Sequence, residues 1–193
     1  MGIRLLEQIT LTGKRAATLA VSGLALLPGS FNPLHEGHLG LAHVAASLLG
    51  KPVAFELSIA NVDKPSLADA EVERRLAQFV GVAEIWLTRA PRFVEKARCF
   101  PGATFVVGAD TAARVTAARY YDGDADRRDH ALRSLCDAGC SFLVAARADA
   151  TGGCWRLEDI EIPWEFAELF LGIPESRFRL DISSSELRRN FGR

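Results

Sequence analysis

The fold of this chain is decided by the segment LALLPGSFNPLHEGHL, which runs from Leu24 to Leu39. It opens with a continuous apolar run that Pro28 and Gly29 end, a pattern typical of a strand buried on both faces. An amphipathic stretch follows directly and predicts a helix over 38–49. A buried strand that passes through a loop into a helix is the opening unit of an open α/β sheet, and such sheets bind ligands at the carboxyl ends of their strands.

The rest of the chain alternates short apolar runs with longer amphipathic ones. Further strands are predicted over 53–60, 83–88, 104–107, 141–146, 157–162 and 177–180, and further helices over 68–80, 110–119, 127–138, 164–171 and 184–190. This alternation implies parallel strands joined by right-handed crossovers. The predicted fold class is therefore α/β, a doubly wound Rossmann-like parallel sheet with helices on both faces, formed by residues 23–193. Residues 1–22 are predicted to be an N-terminal extension that packs on this domain.

The composition is that of a soluble globular protein. Of 193 residues, 49% are hydrophobic and 24% are charged, and the formal net charge is −1, so neither disorder nor a global attraction to nucleic acid is expected. The apolar run over 16–27 is too short to span a bilayer, and we interpret it as strand rather than as a secretory signal. We therefore expect no nucleic-acid or membrane partner. The sequence leaves the oligomeric state open, and a homo-oligomer is one of the alternatives.

The four cysteines do not have the spacing of a metal site. They are Cys99, Cys136, Cys140 and Cys154, and no two of them form a CxxC pair. A zinc site requires more ligands at closer spacing. Reduced, structural thiols fit a reducing compartment, so we expect a cytoplasmic protein.

Two of the chain's four histidines, His35 and His38, stand at the start of the first predicted helix within the motif HEGH. This spacing places both imidazoles on one side of a first helical turn, where backbone N–H groups hold anions. Gly29 and Gly37 flank the loop and allow the backbone to approach a phosphate closely. We predict that the pair donates hydrogen bonds to a phosphate whose charge grows in a transition state. The alternatives are an ordinary pair of surface histidines and a metal site, which would lack a third ligand at suitable spacing.

The segment DISSSELRR over 181–189 is rich in hydroxyl groups. Ser183 and Glu186 form an S-x-x-E capping box, so a well-capped last helix is one interpretation. Three serine hydroxyls beside helix N–H groups, with Arg188 one turn on, would also seat a polyphosphate. Positive charge is concentrated in this part of the chain, at Arg177, Arg179, Arg188, Arg189 and Arg193.

The loop after the second strand has the sequence NVDKP and would reach the same edge of the sheet. Asn61 and Lys64 in this loop, with Arg74 or Arg75 from the next helix, would bind the phosphate of a second substrate. The alternative is a solvated charged turn and helix face.

The loop after the third strand has the sequence TRAPRF and begins at Thr88. It would form one wall of a pocket for an acceptor base, with Phe93 stacking on the ring. Trp86 lies inside the strand itself and is expected in the core.

Together, the histidine and serine segments resemble the signatures of the nucleotidyltransferase superfamily. HEGH is similar to the HxGH signature, and ISSSELR is similar to ISSTxxR, with Ser185 where Thr is common. His35 and Leu39 favour the nicotinamide or nicotinate mononucleotide adenylyltransferase branch, and FVVGADT over 105–111 resembles its strand ending in Gly-Ala-Asp. Within that branch the sequence looks closest to divergent cytidylyltransferase-like proteins. The stretch between Arg89 and Phe100 departs from the usual nicotinate-ring loop.

The resemblance implies a reaction and the residues that perform it. The 5′-phosphate of a mononucleotide attacks the α-phosphorus of ATP in line, and pyrophosphate leaves without a covalent enzyme intermediate. His35, His38 and Arg188 are implied as catalytic residues, and Mg²⁺ is implied as bound mainly through the ATP phosphates. The implied ATP-binding residues are Gly29, Ser30, Phe31, Gly37, Gly108, Asp110, Ser183, Ser184 and Ser185, and the expected acceptor-binding residues are Asn61, Lys64, Arg74, Thr88 and Phe93.

Two other functions stay open. One is the same chemistry with another nucleotide or acceptor, such as CTP with a phosphorylated alcohol. The other is a nucleotide-binding regulatory protein that has kept the fold and lost turnover. Both histidines and Arg188 are present together, which argues against the second alternative because a binding module does not need transition-state donors.

Overall fold

The computed structural model describes residues 6–10, 12–18, 20–60, 65–148 and 153–180. Within them, ten strands are joined by backbone pairing. The strands are β1 (Leu6–Ile9), β2 (Arg15–Thr18), β3 (Ala25–Pro28), β4 (Val53–Ser58), β5 (Ile85–Thr88), β6 (Thr104–Gly108), β7 (Ser141–Ala148), β8 (Cys154–Trp155), β9 (Phe170–Ile173) and β10 (Arg179–Leu180). The α-helices are α1 (Glu36–Leu49), α2 (Asp69–Leu76), α3 (Phe93–Cys99), α4 (Ala109–Thr116) and α5 (Ala125–Asp137). Short 3-10 helices cover Ala77–Phe79, Ala118–Tyr121, Leu157–Asp159 and Trp164–Leu169.

Five parallel strands form the centre of the sheet, in the spatial order β5-β4-β3-β6-β7. Because β3 comes first in the chain and both of its neighbours come later, the direction of winding reverses between β3 and β6. Open α/β sheets bind ligands in the crevice that such a reversal leaves at the carboxyl ends of the strands. The predicted Rossmann-like fold class is confirmed, and the loop that carries His35 lies at this crevice.

Two apolar cores lie on opposite faces of the sheet, as neighbouring residues of β3 show. Leu26 is fully buried among side chains of α3, α4 and α5. Leu27 is 3% exposed and packs with α1 and α2 on the other face. Each such side chain stabilises the fold by about 1.5–3 kcal/mol. Helices on both faces explain why the central strands are continuously apolar.

Residues 157–162 do not form the strand that their pattern predicts. Asp159 accepts a hydrogen bond from the backbone N–H of Arg156 at 2.8 Å, and the N–H of Ile160 donates to the carbonyl of Leu157. These two bonds close a 3-10 turn in place of a strand. The strand beside β7 is instead β9. The helix predicted over 164–171 overlaps the first two residues of this strand.

A hairpin of β1 and β2 extends the other side of the sheet. β1 pairs antiparallel with both β2 and β5, and its Leu6 and Ile9 are buried. The apolar run over 16–27 is therefore divided between β2 and β3. No helix within the described ranges is both long enough and apolar enough to cross a membrane. The helix predicted over 184–190 lies outside the described residues.

Candidate active site

The loop between β3 and α1 is built around the ring of Phe31. This ring is fully buried and makes edge-to-face contacts with Phe55 and Phe79. A Cβ added to Gly29 would lie 2.6 Å from two atoms of the ring. Gly29 is therefore required by the packing of Phe31. The prediction of Phe31 as an ATP-binding residue is corrected, since the residue is fully buried and its side chain belongs to the core. Ser30, beside it, is exposed.

Substitution of Gly29 with alanine should lower the free energy of unfolding by about 1–3 kcal/mol, the usual cost of overpacking a core. Chemical denaturation of the two proteins measures this difference. Gly172→Ala is the matched control, because a Cβ there would have only ordinary contacts, at 3.6 Å or more. Equal stability of both variants would contradict the packing role of Gly29.

His35 and His38 form a stacked pair at the start of α1. His35 is the N-cap residue, and His38 is the third residue of the helix. Their ring centroids lie 3.7 Å apart, with the planes inclined by 28°. The prediction that both imidazoles share one side of the first turn, which also contains Gly37, is confirmed. Their catalytic roles stay predictions.

The histidine pair is held in its uncharged form. Burial lowers the pKa of His38 to about 3, with a smaller contribution from the neighbouring His35, and burial also lowers the pKa of His35. The backbone N–H of His35 donates to Nδ1 of His38 at 3.3 Å. This bond assigns the proton of neutral His38 to Nε2, which makes Nε2 its hydrogen-bond donor.

Both ring nitrogens of His35 are buried, and neither has a hydrogen-bond partner among the described residues. Buried polar atoms are rarely left in this condition. A bound ligand with an acceptor oxygen would supply a partner for the protonated nitrogen of this neutral ring. The charge of such a ligand would be met by the backbone N–H groups at the start of α1.

The adjoining strand end carries Gly108 and Asp110. β6 passes into α4 without a loop, so that Gly108 caps the helix and Asp110 lies in its first turn. The carboxylate of Asp110 accepts a hydrogen bond from Arg147 of β7 at 2.7 Å, and both side chains are 31% exposed. Arg147 was not predicted from the sequence as a site residue. Its position directly after the fifth predicted strand, at the ligand-binding edge of the sheet, was the signal that could have indicated it. A ribose that binds Asp110 would have to share it with Arg147.

The described chain returns to this edge near its last residues. Phe178 packs against α1, where a Cβ on Gly40 would lie 3.2 Å from its ring. β10 then pairs in parallel with the carboxyl-terminal part of β7. The predicted residues Ser183, Ser184, Ser185 and Arg188, together with Asn61 and Lys64, lie outside the described residues.

Of two predicted acceptor contacts, the one at Thr88 is corrected. Thr88 is 2% exposed, and its hydroxyl donates to Glu56 at 2.5 Å. The ring of Phe93 packs edge-to-face on Phe105 and Phe142. The hydroxyl of Thr88 is therefore engaged in the core and does not form the predicted wall for an acceptor base. Phe93 is half-buried, and its predicted contact with the base stays a prediction.

Arg74 reaches the loop that precedes the histidine pair. Its guanidinium donates to the side chain of Asn32 at 2.5 Å and to Glu71 at 2.7 and 2.8 Å. It is half-exposed, which leaves its predicted contact with an acceptor untested.

A buried ion pair lies directly below the carboxyl ends of β4 and β5. Lys96 of α3 donates to both carboxylate oxygens of Glu56, at 2.8 and 2.6 Å. Glu56 is fully buried and Lys96 is 5% exposed. The sequence carried one signal for this pair, a glutamate in the middle of an apolar strand. The pair fixes α3, and hence the loop before it, to the centre of the sheet.

A cavity of about 410 Å³ lies apart from the histidine pair, between β7, β9 and the turn at Leu157. An ion pair of Arg156 and Glu175 stands at its wall. None of the predicted site residues that the structure describes lines it.

The described residues contain no group of three or more histidine, cysteine, aspartate or glutamate side chains that could hold a metal ion. The four cysteines are not joined in disulfides.

A family model described as cytidylyltransferase-like matches residues 26–190. The chain belongs to the cytidylyltransferase-like family. The matched range begins within β3 and includes both the histidine loop and the serine-rich segment. Membership in this family supports a nucleotidyltransferase activity, in agreement with a neutral histidine pair at the reversal point of the sheet. A search of the curated proteins finds no match to the chain.

Proposed function

We propose that this protein transfers the adenylyl group of ATP to nicotinamide mononucleotide or nicotinate mononucleotide, forming the dinucleotide and releasing pyrophosphate. The observation that carries the proposal is the stacked, uncharged His35 and His38 at the first turn of α1. Family membership supports the reaction class. The Gly-Ala-Asp sequence that ends β6 at the crevice supports the choice of a dinucleotide-forming branch.

The expected mechanism is positioning and charge stabilisation, because in-line attack by the acceptor phosphate needs no covalent intermediate. Nε2–H of His38 would donate to the phosphate that gains charge as pyrophosphate leaves. His35 and the helix N–H groups would bind the adjacent phosphate oxygens. Ser183, Ser184, Ser185 and Arg188 would hold the β- and γ-phosphates, and Asp110 the ribose.

Magnesium enters this proposal as part of the nucleotide. The described residues offer no set of three ligands for a resident ion, and Mg²⁺ binds readily through substrate phosphates and water. We therefore expect the complex of Mg²⁺ and ATP to be the substrate. The ion neutralises part of the triphosphate charge.

The substrate is tested by measuring pyrophosphate release with ATP or CTP in combination with each mononucleotide and with glycerol 3-phosphate. We expect release with ATP and a mononucleotide, and a dinucleotide product by mass spectrometry. The description of the family favours a second candidate, cytidylyl transfer to a phosphorylated alcohol, and release with CTP and glycerol 3-phosphate would establish it instead. Absence of release in every combination, with retained nucleotide binding, would show a binding protein.

A further inference from the structure

The loop that precedes the histidine pair is held by side chains from the next crossover, outside its own strand and helix. Arg75 of α2 donates from Nη1 to the carbonyl of Ser30 at 2.9 Å. Gln78, in the 3-10 turn after α2, donates from Nε2 to the carbonyl of Phe31 at 3.0 Å. The same amide accepts through Oε1 from the backbone N–H of Leu34 at 2.9 Å. One glutamine therefore bridges the two sides of the loop.

The two holding side chains are themselves fixed. Arg75 is 8% exposed, and its Nε donates to Glu71 at 2.8 Å. Gln78 is half-buried and also contacts the carbonyl of Arg75. Because these groups are ordered before any ligand arrives, the loop loses little conformational entropy on binding.

The loop needs this external support. Phe31 has a φ of 45°, a conformation that costs free energy in a residue other than glycine. Leu34, which Gln78 holds, is joined by one peptide bond to His35. A displacement of the loop would therefore move the helix cap and both imidazoles together. Displacements of about 1 Å at a reacting group can cost about 100-fold in rate.

We infer that Gln78 and Arg75 are positioning residues for nucleotidyl transfer: they hold residues 30–34 so that His35 and His38 face the phosphates. This inference rests on the proposed function. Gln78 is given no contact with substrate, and the guanidinium of Arg75, considered above for the acceptor phosphate, instead donates to Glu71 and to the carbonyl of Ser30. Their contribution is to the geometry of the loop, through three hydrogen bonds to its backbone.

The test compares Gln78→Met, which keeps the length of the side chain and removes both hydrogen bonds to the loop, with Gln8→Met. Gln8 is the control position because its side-chain amide donates to the exposed Glu84. We expect kcat for pyrophosphate release to fall about 10- to 100-fold in Gln78→Met, with a smaller change in KM for the acceptor. Gln8→Met should match the parent protein.

A second measurement does not depend on turnover. The ring ¹H–¹⁵N signals of His35 and His38 should shift or broaden in Gln78→Met, whereas those of the exposed His43 and His130 should not. Unchanged signals together with an unchanged kcat would overturn the inference. If the parent protein is inactive with every substrate but the two ring signals still move, the proposed function fails and the positioning role survives.

Arg75→Lys provides a milder variant should Gln78→Met not fold. A lysine has one ammonium in place of the forked guanidinium and would not hold both Glu71 and the carbonyl of Ser30. We expect the same histidine signals to shift in this variant. A parent-like spectrum and a parent-like kcat would remove Arg75 from the positioning role.

Discussion

Replacement of His38 with asparagine should lower the rate of pyrophosphate release by about 100- to 1,000-fold, the usual cost of removing one donor to a developing charge. The asparagine oxygen can take the place of Nδ1 and still accept the hydrogen bond from the N–H of His35. It has no group at the position of Nε2. The variant therefore removes the catalytic donor and keeps the cap of α1. Steady-state release of pyrophosphate under saturating ATP measures the change.

His43→Asn is the matched control for this variant. His43 lies on the same helix, and its side chain is exposed, so its removal should leave the rate within about twofold of the parent. Nucleotide affinity, measured separately by titration, should change little in His38→Asn. A His38→Asn protein that turns over at the parent rate would exclude His38 as a catalytic residue. A loss of affinity with an unchanged rate at saturating ATP would make it a binding residue only.

Replacement of Lys96 with methionine should lower the free energy of unfolding by about 3–5 kcal/mol, which is the typical cost of leaving one member of a buried ion pair without its partner. Methionine fills similar space but leaves the carboxylate of Glu56 in the core with only the hydroxyl of Thr88 to hold it. Denaturation by urea, with the midpoint and slope both fitted, measures the difference.

Two further proteins show whether the loss comes from the unpaired charge. The double variant Glu56→Gln with Lys96→Met removes both charges, keeps an oxygen for the hydroxyl of Thr88, and should recover most of the lost stability. Arg127→Met breaks an exposed ion pair with Asp122 and should have a far smaller effect. If Lys96→Met is no more destabilising than Arg127→Met, the pair does not hold α3 in place.

The local features of the fold could be predicted from the sequence. The strand before Pro28 and the shared side of the two imidazoles follow from short-range patterns, and both are present. Trp86, expected in the core from its place inside a strand, is 4% exposed. Patterns of this kind depend only on neighbouring residues, which the sequence displays directly.

Other predictions failed because sequence position does not determine which way a side chain points. Thr88 ends a strand at the ligand-binding edge, yet its hydroxyl donates to Glu56 in the core. Helix α3 was not predicted because its seven residues are too few to display a helical period. The contacts of Gln78 with the loop join residues more than 40 positions apart, so no local pattern could have indicated them.

The contact between Gly40 and Phe178 has a consequence for how the protein is made. Helix α1 leaves the ribosome early, whereas Phe178 is synthesised only after the central strands. The surface of α1 at Gly40 therefore lacks its contact with Phe178 through most of translation. A nascent chain that ends before Phe178 would expose that surface permanently. Quality-control proteases could then recognise the truncated chain by this exposed surface.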